Sequence, residues 1–258
     1  MRYIGGYNIQ EMMQKDTIAM NAEININLEM RELEYNLVYS KRKTLGICIK
    51  APGIIVVRAP MHLPKEQIEK SLKNKSKWIL QKLELLSKID IASVEKKYLT
   101  GEKFMYRGEL YPLRVVIDES LKKPEVKLYE EKFIITTPVK DEEIIKESMQ
   151  LWYKQKAREI VIEKIEYYSK HFQIMPNSIK IKAQKTRWGS CTYKNDLALN
   201  YKLIMAPPDV LDYVVVHEMC HMEHKNHSKN FWNRVSSIMP DYKDKRKWLK
   251  EHGMKLCC

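Results

Sequence analysis

The chain has 258 residues, of which 44% are hydrophobic and 31% are charged, a balance that excludes a fibrous or intrinsically disordered protein. Its 46 Lys and Arg residues outnumber its 33 Asp and Glu residues, and the formal net charge of +13 suggests an acidic partner or substrate, nucleic acid included. No apolar run approaches the roughly 20 residues of a membrane span, and the N-terminus lacks the apolar core of a signal peptide, so we expect a cytoplasmic protein without membrane contact.

The first half of the chain is predicted to be rich in β-strands. Residues 1 to about 30 have a mixed pattern that predicts no element. The segment 33–60 alternates like strands around a basic turn, and from residue 64 to 87 apolar residues recur at helical spacing. Short strand-like runs then continue to Pro138. We therefore expect an N-terminal extension at 1–31, to which no role can be assigned, and a β-rich region with one helix at 32–140.

The second half is predicted to be mainly helical. Asp141 is suited to cap a long amphipathic helix that runs toward Phe172, and short strands follow at 178–182 and 197–200. Pro207 and Pro208 open another helix, because proline is tolerated in a first turn. A further helix follows Ser228. The order of elements predicts an α+β fold, with a helical domain and a small sheet at 141–258.

A short motif, H-E-x-x-H, lies within the helix that opens at Pro208. Its two histidines are His217 and His221, which helical spacing places side by side on one face, where both imidazoles can bind one metal ion. Glu218 follows the first histidine. It can act as a general base toward a water molecule whose pKa is lowered by zinc. The motif therefore predicts a hydrolase that binds one Zn²⁺ per chain.

A catalytic zinc needs a third protein ligand and an open fourth position. The candidates are the metal-binding side chains that follow the motif, namely Glu223, His224, His227 and Glu251. The spacing H-E-x-x-H-x5-H favours His227, provided that the chain turns after the helix. We expect Asn226 to make that turn in the left-handed conformation and Ser228 to cap the next helix.

Several segments around this motif resemble the YgjP-like metallopeptidase family, whose members are related to SprT-like proteases. The matching segments are RWGSC at 187–191, NYKLI at 200–204, YVVVHE at 213–218, NHS at 226–228 and FW at 231–232, with 57–60, 77–79 and 98–101 upstream. The resemblance covers about residues 32–252. It implies a zincin-like metallopeptidase domain at 141–258, with His217, His221 and His227 as zinc ligands and Glu218 as the base.

The resemblance also implies that the strand before the active helix forms the rim of the substrate cleft. An extended peptide can pair with such a strand. The rim would be built from 188–191 or from 197–200, and Arg187 and Tyr242 are candidates for stabilising the oxyanion. The predicted substrate-rim residues are Arg187, Trp188, Gly189, Ser190 and Tyr242.

Three hypotheses about function stay open. The first is a zinc peptidase that acts on peptides or proteins. The second is a metal-dependent hydrolase with a different substrate. That substrate is either an acidic molecule, such as a nucleotide phosphoanhydride, or a protein held on nucleic acid, the latter by analogy with SprT-like proteases. The third is a zinc ion that only braces the fold, with His224 or Cys220 as a fourth ligand. The second is motivated by two basic clusters: Lys180, Lys182, Lys185 and Arg187, and Lys243, Lys245, Arg246 and Lys247.

Overall fold

The structure is a computed structural model that describes residues 22–28, 31–50, 53–87, 96–184 and 187–256. The chain divides into two compact units, one up to Ser93 and one from Val94 onward. Sheets and helices together confirm the predicted α+β class. The division into three parts at residues 31 and 140 stays a prediction. The boundary at residue 140 falls inside the second unit. Most of the predicted N-terminal extension lies outside the described residues. No helix of the described part is long and apolar enough to cross a membrane.

The first unit contains one four-stranded sheet and two helices. Its strands are β1 (Ala22–Leu28), β2 (Arg31–Ser40), β3 (Gly46–Lys50) and β4 (Ile54–Pro60), and its helices are α1 (Lys65–Lys73) and α2 (Ser76–Ser87). The strand order is β1-β2-β4-β3, with β2 and β4 parallel and the other neighbours antiparallel. The prediction of a single helix over 64–87 is wrong, because the segment forms two helices. It is interrupted after Lys73, where Asn74, a residue of low helix propensity, ends α1.

The second unit begins with a sheet that repeats the topology of the first. Its strands are β5 (Lys103–Tyr106), β6 (Glu109–Ile117), β7 (Glu125–Tyr129) and β8 (Lys132–Thr137), in the order β5-β6-β8-β7. Again the two middle strands are parallel and the outer pairs antiparallel. A proline ends β4 and another follows β8, and a helix comes next in both cases.

A long helix, α3 (Glu142–Ser169), follows this second sheet and packs against it. As predicted, Asp141 caps the helix, since its carboxylate accepts a hydrogen bond from Ile144 N at 3.0 Å. The hydroxyl of Tyr153 donates to the carbonyl of Met105 at 2.7 Å and so ties the helix to β5. One face of α3 is buried at a regular spacing of four residues: Ile145, Met149, Tyr153, Ala157, Val161 and Ile165.

The rest of the second unit is a small sheet followed by helices. The strands are β9 (Ser178–Lys182), β10 (Gly189–Cys191) and β11 (Asp196–Asn200), in the order β10-β11-β9. A 3-10 helix (Tyr201–Met205) leads into α4 (Pro208–Glu223), α5 (Lys229–Ile238) and α6 (Tyr242–His252), and a final 3-10 turn covers Gly253–Lys255. Helix α4 lies in the core, where Val215, Val216, Met219 and Cys220 have no exposed surface. This buried helix carries the H-E-x-x-H motif.

Candidate metal centre

One face of helix α4 presents Tyr213, His217 and His221 at intervals of four residues, so that their side chains follow one another along the helix. The hydroxyl of Tyr213 lies 3.4 Å from Nδ1 of His217. The Nδ1 of His221 lies 2.9 Å from the carbonyl oxygen of His224. Both helical imidazoles thus have an oxygen partner at Nδ1, which leaves Nε2 as the atom that can bind a metal.

The turn after α4 differs from the predicted one. The helix ends at Glu223, and His224 is already extended, with φ −129° and ψ 99°. Asn226 is not among the described residues with positive φ, so the predicted left-handed turn at this residue is wrong. The chain has already left the helix at His224, and Asn226 instead accepts a hydrogen bond from Ser228 N at 3.3 Å through Oδ1.

The predicted cap at Ser228 is confirmed, because its hydroxyl accepts a hydrogen bond from Phe231 N at 3.5 Å. Helix α5 therefore begins at Lys229, two residues after His227, and its first turn packs against the histidines. The ring of Phe231 stacks on that of His221, with centroids 4.4 Å apart, and the indole of Trp232 stacks on His227 at 5.5 Å. Aromatic packing thus fixes His227 beside the two histidines of α4.

The structure brings His217, His221 and His227 together around one point. Nε2 of His227 lies 3.1 Å from Nε2 of His217 and 3.1 Å from Nε2 of His221. Among the residues that the structure describes, these three form the group of His, Cys, Asp or Glu side chains that could hold a metal ion, with donor atoms within 4.8 Å of one another. A tetrahedral zinc with bonds of about 2.0–2.1 Å separates its nitrogen ligands by about 3.3 Å, so the spacing fits a metal ion.

The protonation of the triad also fits a cation. Burial, together with the positive charge that the neighbouring His221 and His227 can carry, lowers the pKa of His217 to about 3. Burial lowers the pKa of His221 as well. His217 and His221 are therefore neutral imidazoles, and neutral imidazole is the form of histidine that can bind a divalent cation.

Glu218 is the one buried charged residue of the described chain, with 5% of its surface exposed. Burial raises the pKa of its carboxyl to about 8, while the nearby Arg187 lowers it. The carboxylate packs against the backbone of β10 at Gly189. A Cβ atom at position 189 would lie 2.5 Å from Oε1 of Glu218. The absence of a side chain at Gly189 therefore permits this position of the carboxylate.

The triad and Glu218 lie in a cleft of about 570 Å³. The predicted rim residues that line it are Arg187, Trp188, Gly189 and Ser190. Tyr242 does not line it. The residue is 8% exposed, and its ring lies between those of Trp232 and Tyr213, stacked at interplanar angles of 17° and 23°. Aromatic packing therefore places Tyr242 behind the wall of the cleft and not on its rim.

A comparison with models of protein families gives a match that covers most of the chain. The family model described as "YgjP-like, metallopeptidase domain" matches residues 43–252. The chain belongs to the YgjP-like family. The resemblance expected from the sequence is thereby confirmed, and membership of a metallopeptidase family implies a divalent metal ion and a peptide or protein substrate. A search of curated proteins finds no match.

Two residues that support the centre of this YgjP-like chain were not assigned a role from the sequence. Tyr213 is four residues before His217, and this helical spacing is a signal that could have revealed it. Asn200 is 4% exposed, and its side-chain amide donates to the carbonyls of Gln184 at 2.7 Å and Arg187 at 3.1 Å. It thus holds the segment that leads into β10, and only the fold brings these carbonyls to it.

Replacing Asn200 by Ala is expected to lower the free energy of unfolding by about 2 kcal/mol, because two carbonyls lose their donor. Urea denaturation of the YgjP-like chain measures this change. Asn200→Asp keeps the size but replaces the amide donors by an acceptor, and it should lose at least as much stability because a buried carboxylate would face two carbonyl oxygens. An Ala variant as stable as the wild type would contradict this role for Asn200.

Proposed function

We propose that this chain is a zinc-dependent peptidase in which His217, His221 and His227 hold one Zn²⁺ and Glu218 is the general base. The convergence of three Nε2 atoms in a cleft beside a buried carboxylate is the observation that carries this proposal. Three ligands leave one coordination position for water and substrate, as in catalytic zinc sites. A zinc ion with a purely structural role would need a fourth protein ligand. Cys220 is fully buried and does not line the cleft. His224 contacts His221 through its backbone carbonyl.

When bound, zinc supplies a Lewis acid that polarises the scissile carbonyl and lowers the pKa of a water molecule. Glu218 takes the proton of that water and delivers it to the leaving amine. Tyr213 and the His224 carbonyl keep the imidazoles in the required orientation and tautomer. Arg187 lines the cleft and lies close enough to lower the pKa of Glu218, so its positive charge is the candidate for stabilising the oxyanion.

The rim strand β10 offers a binding edge for the substrate. It pairs with β11 on one side and is the edge strand of its sheet. An extended peptide can add to such an edge through backbone hydrogen bonds and pass over the metal centre. This supports a rim formed by Trp188, Gly189 and Ser190.

The nucleic-acid partner, the phosphoanhydride substrate and the cytoplasmic location stay predictions. The first basic cluster includes Lys185, which lies outside the described residues. In the second cluster, Lys245 forms ion pairs with Asp209 at 2.5 Å and with Asp241 at 3.1 Å. Its charge is therefore already balanced within the protein.

The proposal predicts a metal-dependent activity that requires His227. The purified protein should contain one zinc per chain and should hydrolyse an unstructured protein such as casein. A chelator should abolish this hydrolysis, and added Zn²⁺ should restore it. His227→Ala should weaken zinc binding by at least about 100-fold, because a ligand is lost and not merely a supporting partner. Metal analysis after dialysis measures this loss.

The matched control is His224→Ala, which keeps the backbone carbonyl but removes the neighbouring imidazole. It should retain the zinc of the wild type. Full zinc content in His227→Ala, or loss of zinc in His224→Ala, would show that the third ligand is misassigned. A zinc-loaded wild type that hydrolyses no protein or peptide would refute the peptidase function.

A further inference from the structure

Positive charge surrounds the cleft beside the candidate metal centre. Among its lining residues, the cations are Arg187, Lys225, Arg246 and Lys250, whereas Glu218 is the one carboxylate in the described lining. The cations come from separate elements: Arg187 precedes β10, Lys225 follows α4, and the other two belong to α6. A cleft of this composition attracts negatively charged groups toward the reaction centre.

Arg246 and Lys250 lie one turn apart on α6, and both face the cleft. The guanidinium of Arg246 lies over the indole of Trp232, 4.8 Å from its centroid. Because Trp232 stacks on His227, this cation–π contact places the guanidinium close to the metal centre and leaves its N–H edges available for hydrogen bonds.

Neither of these two cations has a carboxylate partner within 4.0 Å in the part of the chain that the structure describes. Lys245, their neighbour on α6, is paired with both Asp209 and Asp241. Asp209 and Asp241 therefore neutralise Lys245, which does not line the cleft. Lys225 is also occupied, since it donates to the carbonyl of Thr192 at 3.1 Å and to Asn195.

We propose that Arg246 and Lys250 form a carboxylate-binding subsite that makes the peptidase selective for peptides with an anionic group next to the scissile bond. This inference rests on the proposed peptidase function and names its substrate class. The carboxylate comes either from an Asp or Glu side chain or from a free C-terminus. Arg246 binds it through two parallel N–H donors, and Lys250 adds a second positive charge.

Matched fluorogenic peptides test this selectivity. One set carries Glu, Gln or Lys on either side of the scissile bond with an amidated C-terminus, and a second set has neutral residues with a free or an amidated C-terminus. Wild type should cleave one Glu peptide, or the free-acid peptide, with a kcat/KM about tenfold above that of its neutral counterpart. Which set shows the preference identifies the source of the carboxylate.

Charge variants of α6 locate the subsite. Arg246→Gln and Lys250→Gln should each reduce the preference, and the double variant R246E/K250E should invert it in favour of the Lys peptide. The matched control is K243E/K247E, which makes the same change of net charge on exposed residues of α6 that do not line the cleft. It should keep the wild-type preference within about twofold, because screening weakens distant surface charges.

Two readouts separate this inference from the peptidase function. Zinc content shows that each variant keeps its centre, and fluorescence anisotropy measures binding of the same peptides to zinc-loaded Glu218→Gln protein without hydrolysis. Equal cleavage of acidic and neutral peptides, or an equal loss of preference in the control, overturns the subsite while leaving the peptidase intact. Charge-selective binding without any hydrolysis by wild type refutes the peptidase and leaves the subsite standing.

Discussion

Replacement of Glu218 by Gln is expected to lower kcat by about 10³-fold while zinc content stays at the wild-type level. Glutamine has the size of glutamate and fits the same buried position beside Gly189, but its amide cannot accept a proton from water. The three histidines are unchanged, so the metal remains bound. Metal analysis and initial rates of peptide hydrolysis on the same preparation measure the two quantities together.

The matched control is Glu223→Gln, five residues further along the same helix. Glu223 is paired with Arg234, with 2.7 Å between Oε2 and Nε, and does not line the cleft. This variant should keep kcat and lose only stability. A Glu218→Gln enzyme as fast as wild type would exclude the general-base role, and an equal loss in Glu223→Gln would show that the helix, not the carboxylate, had been disturbed.

Gly189→Ala is expected to reduce kcat by about 10²-fold, because a displacement of about 1 Å at a catalytic group has an effect of this size. The added Cβ would lie 2.5 Å from Oε1 and 2.6 Å from Cγ of Glu218, closer than atoms in contact can be. Either the carboxylate or the rim strand must move. Zinc binding should be retained, because the three atoms nearest to the added Cβ all belong to Glu218 and not to a histidine.

A double-mutant cycle tests whether this loss acts through Glu218. In the Glu218→Gln background, where no base remains to be displaced, Gly189→Ala should cause little further loss of kcat. Ser190→Ala, at the next position of β10, adds no atom and should show no comparable effect. Fully additive losses for positions 189 and 218 would contradict the positioning role of Gly189.

The features that the sequence predicted well depend on local interactions. Asp141 and Ser228 cap their helices because a side-chain oxygen meets a backbone N–H within the same turn, and no distant residue takes part. The juxtaposition of His217 and His221 follows from helical periodicity alone. The family resemblance rested on segments around this motif, and the family match over 43–252 confirmed it.

The features that the sequence missed depend on tertiary packing. Tyr242 was expected at the rim, but the stack of Trp232, Tyr242 and Tyr213 involves residues from α5, α6 and α4, and no local pattern encodes it. Strand β1 was not predicted, although Ile24, Ile26 and Leu28 alternate with polar residues. The alternation was overlooked because it is short and the sequence on either side has no clear pattern. The shared topology of the two four-stranded sheets was missed too, because equivalent strands lie far apart in the chain.

The stack of Trp232 on His227 has a consequence for how the centre can be observed. The two rings lie nearly parallel, at 21°, with their centroids 5.5 Å apart. A metal ion that binds Nε2 withdraws electron density from the imidazole against which this indole lies, and the guanidinium of Arg246 lies over the same indole. Trp232 is therefore an intrinsic fluorophore in contact with both a proposed ligand and the proposed carboxylate subsite, so its emission can report metal loading and substrate binding without an attached dye.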